Sequence, residues 1–160
     1  MATREEIIAE LQRVNARIEG LTPQILARPE APLPEGTWTV HDAVCHLAAD
    51  GNAVPRFLNR IARIDQGLSP RPEGWTPAMM DAENEVNLAK RKGLPITDVL
   101  KEIRDAMDAD IERVKGLDEA LWSREMPNFR GVVSPASDQL KGTTSGHPHG
   151  HIDDIEKALS

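Results

Sequence analysis

Apolar residues recur at helical spacing along most of the chain, and this repeat limits the fold more than any other feature. In the first segment they alternate between steps of four and three, at Ile7, Leu11, Val14, Ile18, Leu21 and Ile25. Such steps place them on one stripe of a helix. Thr3 and Glu6 precede the stripe with the spacing of a capping box, which predicts the helix start. The sequence therefore predicts a long first helix that ends before the prolines and glycine of residues 29–36.

A second helix is predicted to start at Thr39, with Asp42 completing its cap. Pro55 lies inside the same pattern and is expected to kink the helix, because it removes one backbone hydrogen bond. Residues 67–74 are rich in proline and glycine and predict a loop. The stripe expected to be buried consists of Val40, Val44, Leu47, Val54, Leu58 and Ile61.

Two more helices follow from the same reasoning. The pair Thr76-Pro77 has the order of a helix start, and Thr97 is expected to cap the next helix, which closes at Gly116. A short helical turn is predicted at residues 118–122, and irregular chain at 123–137. The stripes expected to be buried are Met79, Ala82, Val86 and Ala89 in one helix, and Leu100, Ile103, Met107, Ile111 and Val114 in the other.

The composition supports an all-α fold. Aromatic residues make up only 3% of the chain and tyrosine is absent. The core must therefore be filled by aliphatic side chains and methionine, which suits packed helices better than a β-sandwich. Amphipathic helices joined by short loops predict a four-helix bundle, forming a single domain over residues 1–160.

Charge and cysteine content exclude several classes of protein. The formal net charge of −7 gives no basic surface for phosphate groups, so no nucleic-acid partner is expected. No apolar run approaches the roughly 18 residues of a membrane span, so no membrane partner is expected. Cys45 is the single cysteine, which fits a reducing compartment. A cytoplasmic location is the expectation.

Histidines carry the main functional signal. His147 and His151 are four residues apart, so on a helix both imidazoles face one side and can reach one metal ion. His46 lies at the edge of the second helix's buried stripe and is the best third ligand, whereas His41 is expected to be exposed. Two other interpretations stay open, namely a solvated tail that binds metal loosely and a hydrogen-bonded histidine at the core edge.

Pro148 complicates this prediction, because a residue that precedes proline disfavours helical geometry. Either His147 lies just outside the last helix, or that helix continues through Pro148 with a kink. Asp50 and Asp154 share helical faces with the histidines and could accept a ring N–H, although exposed surface carboxylates would look the same in sequence.

Three segments in order resemble a known family. Residues 38–47, Trp-Thr-Val-His-Asp-Ala-Val-Cys-His-Leu, resemble the W-[ST]-V-x-x-x-x-x-H-L opening of the second helix in the DinB-like superfamily. This superfamily includes the mycothiol-dependent maleylpyruvate isomerase-like proteins. The H-x-x-x-H-[IL] pattern of its last helix resembles residues 147–152. Residues 81–85, the break at 94–95 and the helix of 99–117 resemble its middle section, so the likeness runs from about residue 5 to 158.

The resemblance implies an up-down-down-up four-helix bundle that holds a divalent metal, usually nickel or zinc, with water completing the shell. Carried over residue by residue, the metal ligands are His46, His147 and His151. Asn84 matches a recurrent position on the third helix and is expected to line the cavity. The glycine- and proline-rich approach to the last helix departs from the family's smooth helix.

Two functional hypotheses follow. The first is a metal-dependent hydrolase, or a thiol S-transferase or isomerase, that acts on a small molecule with a low-molecular-weight thiol as a further cofactor. The second is a non-catalytic protein that binds or sequesters a small toxic compound in a stress or detoxification response. A scaffold with relic histidines is a third, weaker alternative. Bundles of this kind often pair through exposed helix faces, so a homodimer is expected.

Overall fold

The computed structural model describes residues 1–128 and 130–160, and most of them are helical, as predicted. Helix α1 spans Arg4–Ala27. Its capping box forms as predicted: the Thr3 hydroxyl accepts from the Glu6 backbone, and the Glu6 carboxylate accepts from the Thr3 backbone. The predicted stripe points into the core, with Leu21 half-buried and the others buried.

The predicted single, kinked second helix is wrong. Helix α2, Val40–Ala49, stops before residues 50–52, and helix α3, Ala53–Asp65, starts anew. Asn52 adopts a left-handed conformation with φ of 59°, which ends one helix and redirects the next. Pro55 therefore falls in the first turn of α3, where its missing N–H costs no hydrogen bond.

The break between α2 and α3 packs tightly on helix α5, Ile96–Lys115. A Cβ built on Gly51 would come 2.7 Å from the Cβ of Ala106, so only glycine allows this approach. The buried Asp110 carboxylate accepts from the Val54 backbone at 3.3 Å and pairs with Arg113 at 2.8 Å. These contacts fix the end of α2 relative to α5.

Helix α4, Pro77–Ala89, begins at the predicted Thr76 cap, but the stripe predicted for it is wrong. Met79 is 50% and Val86 55% exposed, whereas Leu88 is buried. The helix is peripheral and contacts α2, so it has one narrow buried side rather than a stripe along its length. A modest apolar period in the sequence does not show whether the predicted stripe or the side that carries Leu88 faces the core.

The next segment follows the prediction only in part. The stripe of α5 is buried as predicted and Gly116 closes the helix, although Pro95 rather than Thr97 stands at its start. A 3₁₀ turn forms at Glu119–Leu121. The expected irregular stretch at residues 123–137 instead contains two short antiparallel strands, β1 Glu125–Pro127 and β2 Val133–Pro135.

The last segment is helical throughout and runs through Pro148. Helix α6, Ala136–Lys141, continues through a wide π turn, Gly142–Gly146, into helix α7, His147–Leu159. In the π turn three hydroxyls bond back to carbonyls four residues earlier: Thr143 to Gln139, Thr144 to Leu140 and Ser145 to Lys141. They give the carbonyl groups of residues 139–141 a side-chain donor where the helix widens.

The core is formed mainly by helix-to-helix contacts, with further side chains from α3, α6 and β1. Helix α1 packs against α5 and α7, and α2 packs against α5, α7 and α4. This arrangement brings the C-terminal end of α2 next to the start of α7, where the predicted ligands lie. Within the described ranges, no helix has the length and hydropathy needed to cross a membrane.

Candidate metal centre

His46 lies on the last turn of α2 and is buried, with 6% of its surface exposed. Burial of an imidazole requires a partner for its ring nitrogens. Its Nε2 atom points across the helix interface toward α7 and lies 3.3 Å from Nε2 of His147. His46 therefore lies at the edge of the core, as predicted, and also forms the buried side of a site between α2 and α7.

His147 and His151 come from the first two turns of α7, so the four-residue spacing places both rings on the side that faces His46. Nε2 of His147 lies 3.2 Å from Nε2 of His151. The ring centroids of the three histidines are 4.5–5.5 Å apart. One nitrogen of each ring lies within 4.8 Å of the other two. The structure thus brings together the three residues predicted as ligands.

The spacing of these nitrogens fits one shared ion. Two imidazole nitrogens bound to zinc at ~2.0–2.1 Å in a tetrahedral site are roughly 3.4 Å apart. The two measured separations are 3.3 and 3.2 Å. The same distances also allow hydrogen bonds between rings, but each such bond needs a proton on one of the two nitrogens. Three rings that converge in this way could hold one metal ion between them.

Asp50, one turn after His46, faces the same point. Its Oδ2 atom lies 2.7 Å from Nε2 of His147 and 3.2 Å from Nε2 of His46. Burial alone would raise the pKa of Asp50, but hydrogen bonding to His147 and His46 outweighs it and holds that pKa far below the ordinary range. The carboxylate is therefore ionised and adds a hard, anionic donor beside the imidazoles. The sequence predicted that Asp50 could accept a ring N–H, and the structure places its carboxylate at hydrogen-bonding distance from the rings of both His46 and His147.

The state of His151 also suits a cation. Burial, together with the charges of His147 and His46, lowers the pKa of the His151 imidazole to about 4. The ring is therefore neutral at neutral pH, and its nitrogen lone pair is available to a metal.

Trp38 covers the outer side of the centre. Its indole lies 4.9 Å from the His46 ring and stacks on the His151 ring at 6.1 Å, measured between centroids. The side chain is half-buried. Trp38 belongs to the helix-start motif in the sequence, but no role was predicted for it there. Its position directly before the cap of the ligand-bearing helix is the signal that could have identified it.

The other predicted residues lie around this centre. Asn84 lines a cavity next to His151, as expected, and so does Asp154. The Asp154 carboxylate pairs with Lys157 at 3.0 Å rather than with a ring N–H. His41 was expected to be exposed but is half-buried.

Cys45 lies next to His46 in sequence but is buried in the core. Burial, followed by the charge of Asp42, raises the pKa of its thiol to about 11. A thiol in this state is not ionised at neutral pH and is a poor nucleophile. Cys45 is therefore a packing residue.

The cavity beside the centre has a volume of about 440 Å³ and reaches His151 and Trp38. Small-molecule sites typically have ≈ 300–1,000 Å³. A larger cleft of about 540 Å³ lies at the loop around Trp75, but none of the histidines lines it. We therefore take the smaller cavity as the candidate ligand site, because it adjoins the three histidines and the larger cleft does not.

One solved structure shares this fold. The crystal structure of an uncharacterized protein from Clostridium difficile 630 matches with a TM-score of 0.70, covering 98% of this chain and 95% of that chain. The sequence identity is 9%, so the likeness concerns the fold alone. No protein-family model matches the chain, and no curated protein matches it.

Proposed function

We propose that this protein binds one divalent transition-metal ion through His46, His147 and His151, and that the centre serves a small molecule held in the adjoining cavity. The observation that carries the proposal is the convergence of three imidazole nitrogens, two contacts of which are 3.3 and 3.2 Å. Imidazole ligands suit zinc, copper, iron and nickel; zinc or nickel is proposed from the resemblance. The resemblance to the DinB-like superfamily, with its up-down-down-up bundle, supports the same metals.

The residues of the centre have separable roles. The ion, when bound, can polarise a carbonyl, stabilise a thiolate or lower the pKa of a water molecule. Asp50 supplies an anionic oxygen that stabilises the cation. Trp38 shields His46 and His151 from bulk water. These roles support a metal-dependent hydrolase, or a thiol S-transferase or isomerase, that acts on a small molecule.

A second function is favoured by the position of Asp50. With three histidines it makes a four-donor set, and protein centres with four donors are typically structural, whereas catalytic zinc sites keep one position open. In that case the protein binds or sequesters a small compound without turnover. The two functions differ in outcome, because an enzyme releases product and a sequestering protein retains a stoichiometric amount of unchanged ligand.

The metal is tested by elemental analysis of protein purified without a histidine tag and supplied with nickel or zinc. We expect about one ion per chain. Replacing any one of the three histidines by alanine should weaken binding by more than about a hundredfold, beyond the 10–100-fold typical of outer-shell residues. His149→Ala is the matched control, because His149 also lies on α7 but contacts Arg17 and Glu10 instead.

Two outcomes contradict the proposal. One is a protein that stays metal-free after both metals are supplied. The other is a loss of binding in His149→Ala as large as that in His147→Ala, which would show that metal binds to the α7 surface and not to the centre.

A further inference from the structure

The cavity beside the metal centre has walls from three parts of the chain. The loop before α2 contributes Leu33, Glu35 and Trp38, helix α4 contributes one face, and α7 contributes His151 and Asp154. Leu33 is buried, and the indole of Trp38 forms an aromatic wall against His151. The cavity therefore has an apolar interior that ends at one of the proposed metal ligands.

The charged groups around this cavity all have one sign. No lysine or arginine lines the cavity. Four carboxylates do, namely those of Glu35, Asp81, Glu85 and Asp154. The two nearby lysines form ion pairs of their own. Lys157 pairs with Asp154, and Lys92, whose pKa is raised in part by the charge of Glu85, pairs with Asp42. Across residues 1–128 and 130–160, no cationic side chain lies within ion-pairing distance of the other three carboxylates. Low-dielectric walls strengthen the field of such unpaired charges inside a cleft.

This charge excludes one class of ligand and favours another. An anionic ligand, such as a dicarboxylate or a phosphate ester, would be repelled by these side chains, and only a metal ion bound at His151 would attract it. A cation would be attracted by the carboxylates and would also gain a cation–π contact with the indole of Trp38, the aromatic ring that binds cations best. The apolar interior adds a preference for a hydrocarbon or aromatic body.

We propose that the cavity binds a small organic cation, an amine with an apolar or aromatic body, with its charged end at the carboxylates and its other end toward His151. The inference rests on the proposed function, because it assigns a substrate class to the same centre. It follows from the cavity, its aromatic wall and its unpaired carboxylates.

Three compounds of similar shape and different charge test the proposal: phenethylamine, phenethyl alcohol and hydrocinnamate. Their binding to untagged protein is measured by calorimetry before and after metal loading, with the metal content of every sample determined in parallel. The metal-free protein tests the carboxylates, because a bound ion would itself attract the carboxylate of hydrocinnamate. Phenethylamine should bind at least about tenfold more tightly than the alcohol, and its affinity should fall with rising salt as exposed charges are screened. Hydrocinnamate should bind least.

The carboxylates are tested by a triple variant that keeps side-chain shape, Glu35→Gln with Asp81→Asn and Glu85→Gln. We expect it to lose the preference for the amine over the alcohol. A control triple with the same change in net charge replaces exposed carboxylates outside the cavity, Glu19→Gln with Glu73→Gln and Glu83→Gln. Glu83 is on the same helix as two of the residues tested. The control should keep the preference.

Metal content separates the two proposals. Metal-free protein that binds all three compounds equally, or prefers hydrocinnamate, overturns the inference about ligand class. If the same protein takes up metal on loading, the metal centre is unaffected. Equal losses in both triples also overturn it. Protein that never retains metal but still selects the amine through the cavity carboxylates overturns the proposed function and supports the binding site.

Discussion

Oδ2 of Asp50 lies 2.7 Å from Nε2 of His147, although the two residues are 97 positions apart in sequence. The carboxylate thus contacts the same ring atom that we assign to the metal. An ionised group placed this way stabilises a bound cation.

Replacing Asp50 by asparagine should weaken metal binding by about 10–100-fold, as for other supporting carboxylates. Competition with a chromogenic chelator measures the change. Asp154→Asn is the control, since Asp154 lines the adjacent cavity and pairs with Lys157. A comparable loss in both variants would mean that general electrostatics, and not the position of Asp50, governs affinity.

Asp42 predicts a pH dependence of stability. Its carboxylate accepts from the Thr39 backbone at 3.0 Å and pairs with Lys92 at 2.8 Å. Burial would raise the pKa of Asp42, but Lys92 and Thr39 together outweigh it and lower that pKa. The group therefore stabilises the fold above the ordinary aspartate pKa, and this contribution is lost as pH falls through the lower folded-state value.

Asp42→Asn should accordingly lower the free energy of unfolding by about 1 kcal/mol at neutral pH, because the hydrogen bond from Thr39 loses its charged acceptor and the pair with Lys92 is lost. Urea titrations at neutral and strongly acidic pH measure it, and the difference from wild type should shrink in acid. Asp105→Asn, which removes an exposed pair with Lys101, serves as control. A difference that stays constant with pH would contradict the linkage.

Gly51→Ala should destabilise the fold by about 1–3 kcal/mol, the typical range for overpacking. The new methyl would meet Ala106 Cβ at 2.7 Å and the Ala48 carbonyl at 3.0 Å. Adding Ala106→Gly should restore part of the loss, since it removes the first contact but not the second. Thermal and chemical unfolding of both variants measure this.

Gly20→Ala is the matched control, because Gly20 is inside α1 and a methyl group added there would meet nothing within 4 Å. It should stabilise the chain by about 0.5–1 kcal/mol through helix propensity. Equal destabilisation at both glycines would rule out close packing as the cause at Gly51.

Cys45 should resist thiol reagents in the folded protein. Raising its pKa from 9.0 to about 11 lowers the thiolate fraction roughly a hundredfold at neutral pH, and burial adds a steric barrier. Labelling with iodoacetamide should be fast only in denaturant, and Cys45→Ala should retain metal. Rapid labelling of the native protein would restore Cys45 as a candidate nucleophile.

In α1 and α5, where the apolar period was strong, the sequence was sufficient to predict the helix and its buried side. The stripes of α1 and α5 are continuous over many turns, and only burial of one side can satisfy them. Helix α4 had a weak stripe, and tertiary packing turned its Leu88 side inward instead. The break at Asn52 depends on a left-handed backbone and a close approach to α5, neither of which a periodicity argument contains.

The candidate site was predictable for a similar reason. A four-residue spacing fixes the relation of His147 to His151 within one helix. Their relation to His46 required the packing of α7 on α2, which the sequence suggested only through the family resemblance. Asp50 and Trp38 depend on side-chain direction at that interface, so their contacts with the rings became visible only in the structure.

The sequence distance between His46 and His147, 101 positions, has a consequence for the unfolded chain. A ligand held by both residues closes a loop of that length, much as a disulfide does. For a covalent link across about 100 residues the chain-entropy account gives about 4.7 kcal/mol. A bound ion would therefore act as a reversible staple between distant parts of the chain, and the local supply of metal would govern how long each molecule stays folded.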